Sequence, residues 1–268
     1  MMRYIKSNQA INGGVRPKDE TDFEFDYTYD YPEDIIHLTS KSVYYSEFKS
    51  HLYWFGYVFN EDVSSSERTK FIHYLKGIGE SKISDFDLQK FIEIPLNDLH
   101  RKANMYSMDC FVYPVSGRSK LVQKMIEVIG DYTSRDMKSV SFELVKSAPA
   151  DIEFDWEKFD REVPPGTNRY AQMSKYVNDV VMPAIHELDY FSLAKNVKPK
   201  YRKYIKDFLN FSDKDIEKLS KLKGQKILVV DDINTSGSTL NEILRILQKI
   251  NPGCDIYIYT LIGNFKRN

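Results

Sequence analysis

Two adjacent carboxylates, Asp231 and Asp232, stand just ahead of a hydroxyl-rich run around one glycine, Thr235-Ser236-Gly237-Ser238-Thr239. These are the residues of the chain whose types and spacing best suit chemistry. A tight glycine bend opening a helix aims backbone N–H groups and the positive end of the helix dipole at an anion, usually a phosphate. Carboxylates beside such a cradle would repel a bare polyanion. They make sense against sugar hydroxyls, or against a metal that the polyanion carries. The plainer alternative is that the acids finish a turn and that Ser236 or Ser238 caps the helix. A cap needs one such residue, and here a whole string of them is present.

The flanking sequence supplies the elements that would position these groups. Ile227, Leu228, Val229 and Val230 read as a short strand apolar on both faces, as in a parallel sheet. Leu240, Ile243, Leu244 and Leu247 draw an apolar stripe along a following helix, and Asn251-Pro252-Gly253 stops it. In open α/β sheets ligands bind at the carboxyl ends of the strands, where this loop falls. An earlier stretch repeats the logic. Cys110 to Val115 reads as a strand, Ser116-Gly117-Arg118-Ser119 as a tight turn, and Leu121, Val122, Met125 and Ile129 as a helix ending at Gly130. Standing alone, that turn is as readily an exposed bend as an anion site.

Further strands are expected over Ser139–Lys146 and Cys254–Ile262. Residues 1–22 read as loose. Phe23 to Tyr31 alternate aromatic and acidic residues as a strand does, with the aromatics facing a core. Ser42–Phe48 and Leu52–Phe59 suggest a small antiparallel unit. A helix through Phe71, Tyr74 and Leu75 ends near Gly77, and a second opens at Ser84-x-x-Asp87 and is broken by Pro95. Between Ser147 and Gln225 the chain makes a long detour, too long to be unstructured. Tyr170–Leu188 is its best helix, with a kink expected at Pro183. Lys195, Lys198, Lys200, Arg202, Lys203 and Lys206 form a basic segment, 195–206, read as a solvated face or as a phosphate-meeting patch.

Composition narrows the class. The chain has 268 residues, with 38 basic and 39 acidic side chains and a formal net charge of −1, so bulk electrostatics favours no nucleic-acid partner. Cys110 and Cys254 read as buried strand residues, with no zinc spacing and no disulfide framework. No stretch has the length and apolarity of a signal or a membrane span, and a cytoplasmic protein is expected.

Residues 226–240, an apolar strand, an acidic pair and a Thr/Ser-Gly-x-Thr loop, resemble the phosphoribosyl pyrophosphate (PRPP) signature of type I phosphoribosyltransferases. The resemblance implies an α/β fold with a mainly parallel central sheet flanked by helices. It also implies an N-terminal accessory β/α segment over 1–104 and a core over 105–268 with an insertion at about 147–225. It implies Mg²⁺-dependent transfer of phosphoribosyl from PRPP to a nitrogenous base or related acceptor, with pyrophosphate leaving. Asp231 and Asp232 would accept the ribose hydroxyls, and Thr235, Ser236, Gly237, Ser238 and Thr239 would fix the 5-phosphate. By position Ser116, Gly117 and Arg118, with Lys120, would hold pyrophosphate. The Mg²⁺ would arrive with PRPP, beside the acids and without direct protein ligands. In the family a flexible loop closes over PRPP, and Asp151–Pro165 reads either as that loop or as a plain surface connector. Thr235 occupies the position of an aspartate in the 6-oxopurine enzymes, which argues against hypoxanthine, guanine or xanthine as acceptor.

The layout is similar to that of ComF-like proteins. Leu75-Lys76-Gly77 ends an N-terminal helix, Tyr113-Pro114-Val115 ends a strand, and one strand follows the signature. The ComF zinc cysteines and its Arg-Gly-Phe-Asn stretch are absent. A second class also fits: a catalytically silent PRPP- or nucleotide-binding sensor, of the competence- or defence-associated kind. A homodimer is left open, and the acceptor is not named by any residue.

Overall fold

The computed structural model describes residues 13–263 apart from 20–21, 29–30, 32, 38–43, 49–50, 79–81, 104–107, 116–119, 132–137, 187–192 and 235–236. In chain order its elements begin with β1 (Gly14–Pro17), β2 (Phe23–Asp26), β3 (Ile36–His37), β4 (Tyr44–Phe48), β5 (His51–Val58), α1 (Ser65–Leu75) and α2 (Asp85–Ala103). There follow β6 (Cys110–Pro114), α3 (Leu121–Asp131), β7 (Lys138–Phe142), β8 (Leu144–Lys146), β9 (Glu153–Phe154), α4 (Trp156–Glu162), α5 (Asn168–Tyr176), α6 (Met182–His186) and α7 (Leu193–Asn196). The chain closes with β10 (Ile205–Lys206), β11 (Leu209–Phe211), α8 (Asp213–Ser220), β12 (Lys226–Ile233), α9 (Ser238–Ile250) and β13 (Asp255–Gly263).

The chain divides into two compact units. The first holds residues 1–143, 221–235 and 253–268; the second holds 144–220 and 236–252. The core of the first is a six-stranded sheet in the order β4-β5-β13-β12-β6-β7. Five of its strands run parallel and only β4 is antiparallel, to β5. This is the α/β, mainly parallel sheet expected from sequence, and the reason is visible in β12. Its residues Ile227 to Val230 are all 0 % exposed, so neither face meets water. One face of the sheet packs on α1, α2 and α3 through Leu228, Val230, Leu261, Phe71, Phe91, Leu96, Met125 and Ile129.

Several N-terminal expectations need correcting. Residues 14–17 are not loose: β1 pairs with β2 and β3 in a small antiparallel sheet. The aromatic strand is shorter than expected, Phe23–Asp26, and its Phe23 and Phe25 pack against Phe71, Tyr74 and Phe91 as core. The β4–β5 pair is antiparallel, yet β5 also joins the central sheet in parallel with β13. Pro95 does not break the second helix; α2 runs through it to Ala103. A proline leaves the carbonyl four residues earlier without its helical donor. Here that carbonyl, Phe91 O, accepts the Tyr57 hydroxyl at 2.8 Å, which satisfies it. Pro95 also lies so close to β5 that a Cβ on Gly56 would fall 2.7 Å from the ring.

The segment expected as one strand over Ser139–Lys146 is two strands, β7 of the first unit and β8 of the second. Cys110 is buried in β6 as expected. Cys254 is only half-buried, sits just before β13, and its thiol approaches Leu222 O at 2.8 Å.

The second unit packs around Phe154, Phe159, Met173, Val177, Val181, Ile185, Tyr201 and Tyr204. Its long helix passes from α5 into α6 through a π turn over Val177–Val181, immediately before Pro183. The turn absorbs the missing proline donor where a kink was expected. The stretch 151–165 holds β9 and α4, with Phe159 fully buried. Within the basic segment, Lys203 pairs with Glu162 and Lys206 with Asp155, while Tyr201 and Tyr204 are core. Those two lysines are spent on α4 and its cap. Among the described residues no helix is long and apolar enough to cross a membrane.

Candidate functional site

The acidic pair lies inside a strand rather than beyond its end. β12 continues to Ile233, with Asp231 opposite Thr260 and Ile233 opposite Ile262 of β13. Successive strand side chains alternate between faces. Asp232 therefore shares the face of Leu228 and Val230, on which α1 packs, and Asp231 takes the other. Local backbone donors serve both carboxylates: Asp232 N–H donates to Asp231 Oδ1 at 2.9 Å, and Ile233 N–H to Asp232 Oδ1 at 2.6 Å. The remaining oxygen of Asp232 accepts the Lys76 ammonium at 2.7 Å.

Burial, and then the neighbouring Asp232 charge, push the Asp231 carboxyl up to about 7, against the pull of the Asp232 N–H and of Lys76. One of the two acids is thus poised near neutrality while the other is ion-paired. Beyond them, Asn234 N–H donates to Ile262 O at 2.9 Å, and its side chain donates to the Tyr53 hydroxyl at 3.2 Å. That hydroxyl meets Thr260 Oγ1 at 2.7 Å, and both residues are buried. Burial raises the Tyr53 phenol to about 12, so it is a neutral strut for the start of the loop.

Of the expected phosphate loop, Thr235 and Ser236 lie outside the described residues. Gly237 is the N-cap of α9, with φ 74° and ψ 0°, a left-handed conformation that suits glycine. It makes no side-chain cap, and Ser238 begins the helix buried at 5 % exposure. Thr239 is exposed in the first turn. Ser116, Gly117 and Arg118 lie outside the described residues, and Lys120 is an exposed residue just before α3.

A cavity of about 380 Å³ opens in the first unit at the carboxyl ends of its strands. Phe59, Ile72, Ile233 and Ile262 give it apolar walls, and Asn234 and Arg68 give it polar edges. The Arg68 guanidinium donates to Asn60 O at 3.0 Å and to Glu61 O at 3.2 Å, and lies 5.5 Å from the Phe59 ring centroid. Ile233 and Asn234, which directly follow the acidic pair in the sequence, are part of the cavity lining.

Sequence reasoning missed Lys76, Tyr53, Thr260 and this cavity. The signal for Lys76 was present, since a lysine directly before a helix-ending glycine has a fixed backbone. Nothing local could have placed it against Asp232. Among the described residues no group of three or more His, Cys, Asp or Glu converges, and the Lys76 ammonium engages Asp232.

Residues 189–267 match the family model of the phosphoribosyl transferase domain. Among solved structures, the chain is similar to a hypothetical protein from Neisseria gonorrhoeae with bound ppGpp, at 12 % identity and TM-score 0.37, over 69 % of this chain and 71 % of that one. It is also similar to a hypoxanthine phosphoribosyltransferase from Staphylococcus aureus, at 12 % identity and TM-score 0.33, over 68 % and 65 %. A purine phosphoribosyltransferase from Pyrococcus horikoshii follows at 11 % identity and TM-score 0.31, over 68 % and 86 %. No curated protein sequence matches the chain.

Proposed function

We propose that this chain binds PRPP and transfers the phosphoribosyl group to a planar nitrogenous acceptor, a reading supported by the match of residues 189–267 to the phosphoribosyl transferase domain. The observation that carries the reading is the order along the chain: Asp231 and Asp232 near the end of β12, then Gly237, whose left-handed backbone opens α9. Transfer builds positive charge on the ribose as its C1–O bond breaks. Asp231 and Asp232 would accept the ribose hydroxyls and lower the energy of that charge. The amides at the head of α9, with the hydroxyls of Thr235, Ser236, Ser238 and Thr239, would fix the 5-phosphate. Ser116, Gly117 and Arg118 would take the pyrophosphate. A divalent cation carried in by the pyrophosphate would ease its departure, with no protein ligand of its own. The slot between Phe59, Ile72 and Ile262 would orient the acceptor ring toward C1.

One observation favours a second reading, a PRPP- or nucleotide-binding module without transfer. The Lys76 contact already balances the charge that Asp232 would offer to the developing cation. Pyrophosphate release from PRPP across a panel of bases separates the two. Release with at least one base supports the enzyme, and PRPP binding with no release for any base supports the module.

A further inference from the structure

The Lys76 contact is built rather than incidental. Lys76 is the C-cap of α1, and its backbone is locked by the turn that ends the helix. Gly77 N–H donates to Tyr74 O at 3.1 Å and Ile78 N–H to His73 O at 2.8 Å, with Gly77 at φ 63°, the paired bonds of a Schellman motif. The stem of Lys76 therefore leaves a fixed point, while Phe71, Tyr74 and Leu75 of the same helix are fixed in the core. Strand alternation sends Asp232 to that face, and the two charges meet at 2.7 Å with the side chains 24 % and 10 % exposed. A pair this far withdrawn from solvent is screened less than a surface pair.

The electrostatics around it call for a cation. α1 ends here, and a helix carboxyl end bears a partial negative charge. Asp231 and Asp232 add carboxylates one residue apart, and the cation acting on Asp231 is Lys76. Without Lys76 a sugar polyphosphate would approach a locus that is negative throughout. With it, one carboxylate is balanced in place. An ammonium also has three donors, and the Asp232 contact uses one. Among the described residues no acidic cluster converges to hold a metal, and Lys76 puts positive charge of the protein's own chain beside the acids.

Resting on the phosphoribosyl reading, we propose that Lys76 is a built-in counter-ion of the acidic pair, which orients Asp232 for the ribose hydroxyls and lets the protein take PRPP with little dependence on a divalent cation. Lys76 is thus a positioning residue of the sugar site.

The test is PRPP affinity by calorimetry on the full chain, in EDTA and in millimolar Mg²⁺, for the wild type, Lys76→Met and Lys76→Arg. The wild type should change by less than about fivefold between the two conditions. Lys76→Met should lose about tenfold or more in EDTA and regain most of it in Mg²⁺, and Lys76→Arg should follow the wild type. A purely structural lysine would shift affinity equally in both conditions. Equal Mg²⁺ dependence in the wild type and Lys76→Met overturns the inference, as does wild-type binding that collapses in EDTA. That wild-type comparison decides the matter even should Lys76→Met fail to fold. Absence of wild-type binding in both conditions removes the phosphoribosyl reading itself, a result distinct from either of these.

Discussion

Replacing Asp231 by Asn is expected to stabilise the protein in alkaline solution while weakening its ligand site. The Asp231 carboxyl is raised from 3.8 to about 7 by burial and by Asp232. A raised folded-state value means that the native protein holds this proton more tightly than the unfolded chain. The contribution to stability is therefore complete below about pH 4 and is lost as pH climbs toward 7, after which it is flat. At ~1.4 kcal/mol per pH unit, the interval caps the cost at ~4 kcal/mol. Asp231 keeps some contact with solvent and shares its titration with Asp232, so about 2 kcal/mol is the working figure. Asparagine keeps the oxygen that accepts the Asp232 N–H and discards the charge. Urea unfolding of both proteins at pH 5, 6, 7 and 8 should show the variant gaining progressively and levelling off near pH 7 to 8, with unchanged m values. A variant less stable at pH 8, or an advantage independent of pH, would refute the electrostatic account of this carboxyl.

Other perturbations have similarly definite outcomes. Gly237→Val forces a β-branched side chain into a left-handed backbone; it should cost about 1–2 kcal/mol of stability and abolish the ribose 5-phosphate binding that calorimetry should register for the wild type. Tyr57→Phe removes the donor that satisfies Phe91 O and should cost about 1–3 kcal/mol in urea unfolding. Pro95→Ala in that background, by restoring the helical N–H, should recover part of the loss. Ile72→Trp fills the apolar slot and should cut base-dependent pyrophosphate release by about tenfold or more with PRPP affinity unchanged; weaker PRPP binding would place the slot elsewhere in the reaction.

Local pattern reveals what local forces decide. The β12 strand and the α9 stripe were legible because four consecutive apolar residues and a helical period admit few other structures, and both formed as read. Gly237 was legible because only glycine takes its backbone angles without strain. Pro95 misled for the opposite reason. Its local rule is to break a helix, and a tyrosine hydroxyl on a strand distant in sequence repaid the missing bond. The ion pairs of the basic segment were not legible, since Glu162 and Asp155, which engage Lys203 and Lys206, lie some forty to fifty residues earlier in the sequence. The Lys76–Asp232 pair spans more than 150 positions, and only the register of β12 and the packing of α1 could reveal it. Strand propensity also failed to say that β12 would carry its acids to opposite faces, because the end of a strand is fixed by its partner, here β13.

The central claim is that this chain receives PRPP on Asp231, Asp232 and the loop at Gly237. Calorimetric titration of PRPP into the intact protein, beside an Asp231→Asn, Asp232→Asn double variant of matched folding, tests it most directly. The account predicts saturable one-site binding to the wild type and at least about a tenfold loss in the variant. Equal affinity in the two proteins, or no heat of binding to the wild type, would contradict it.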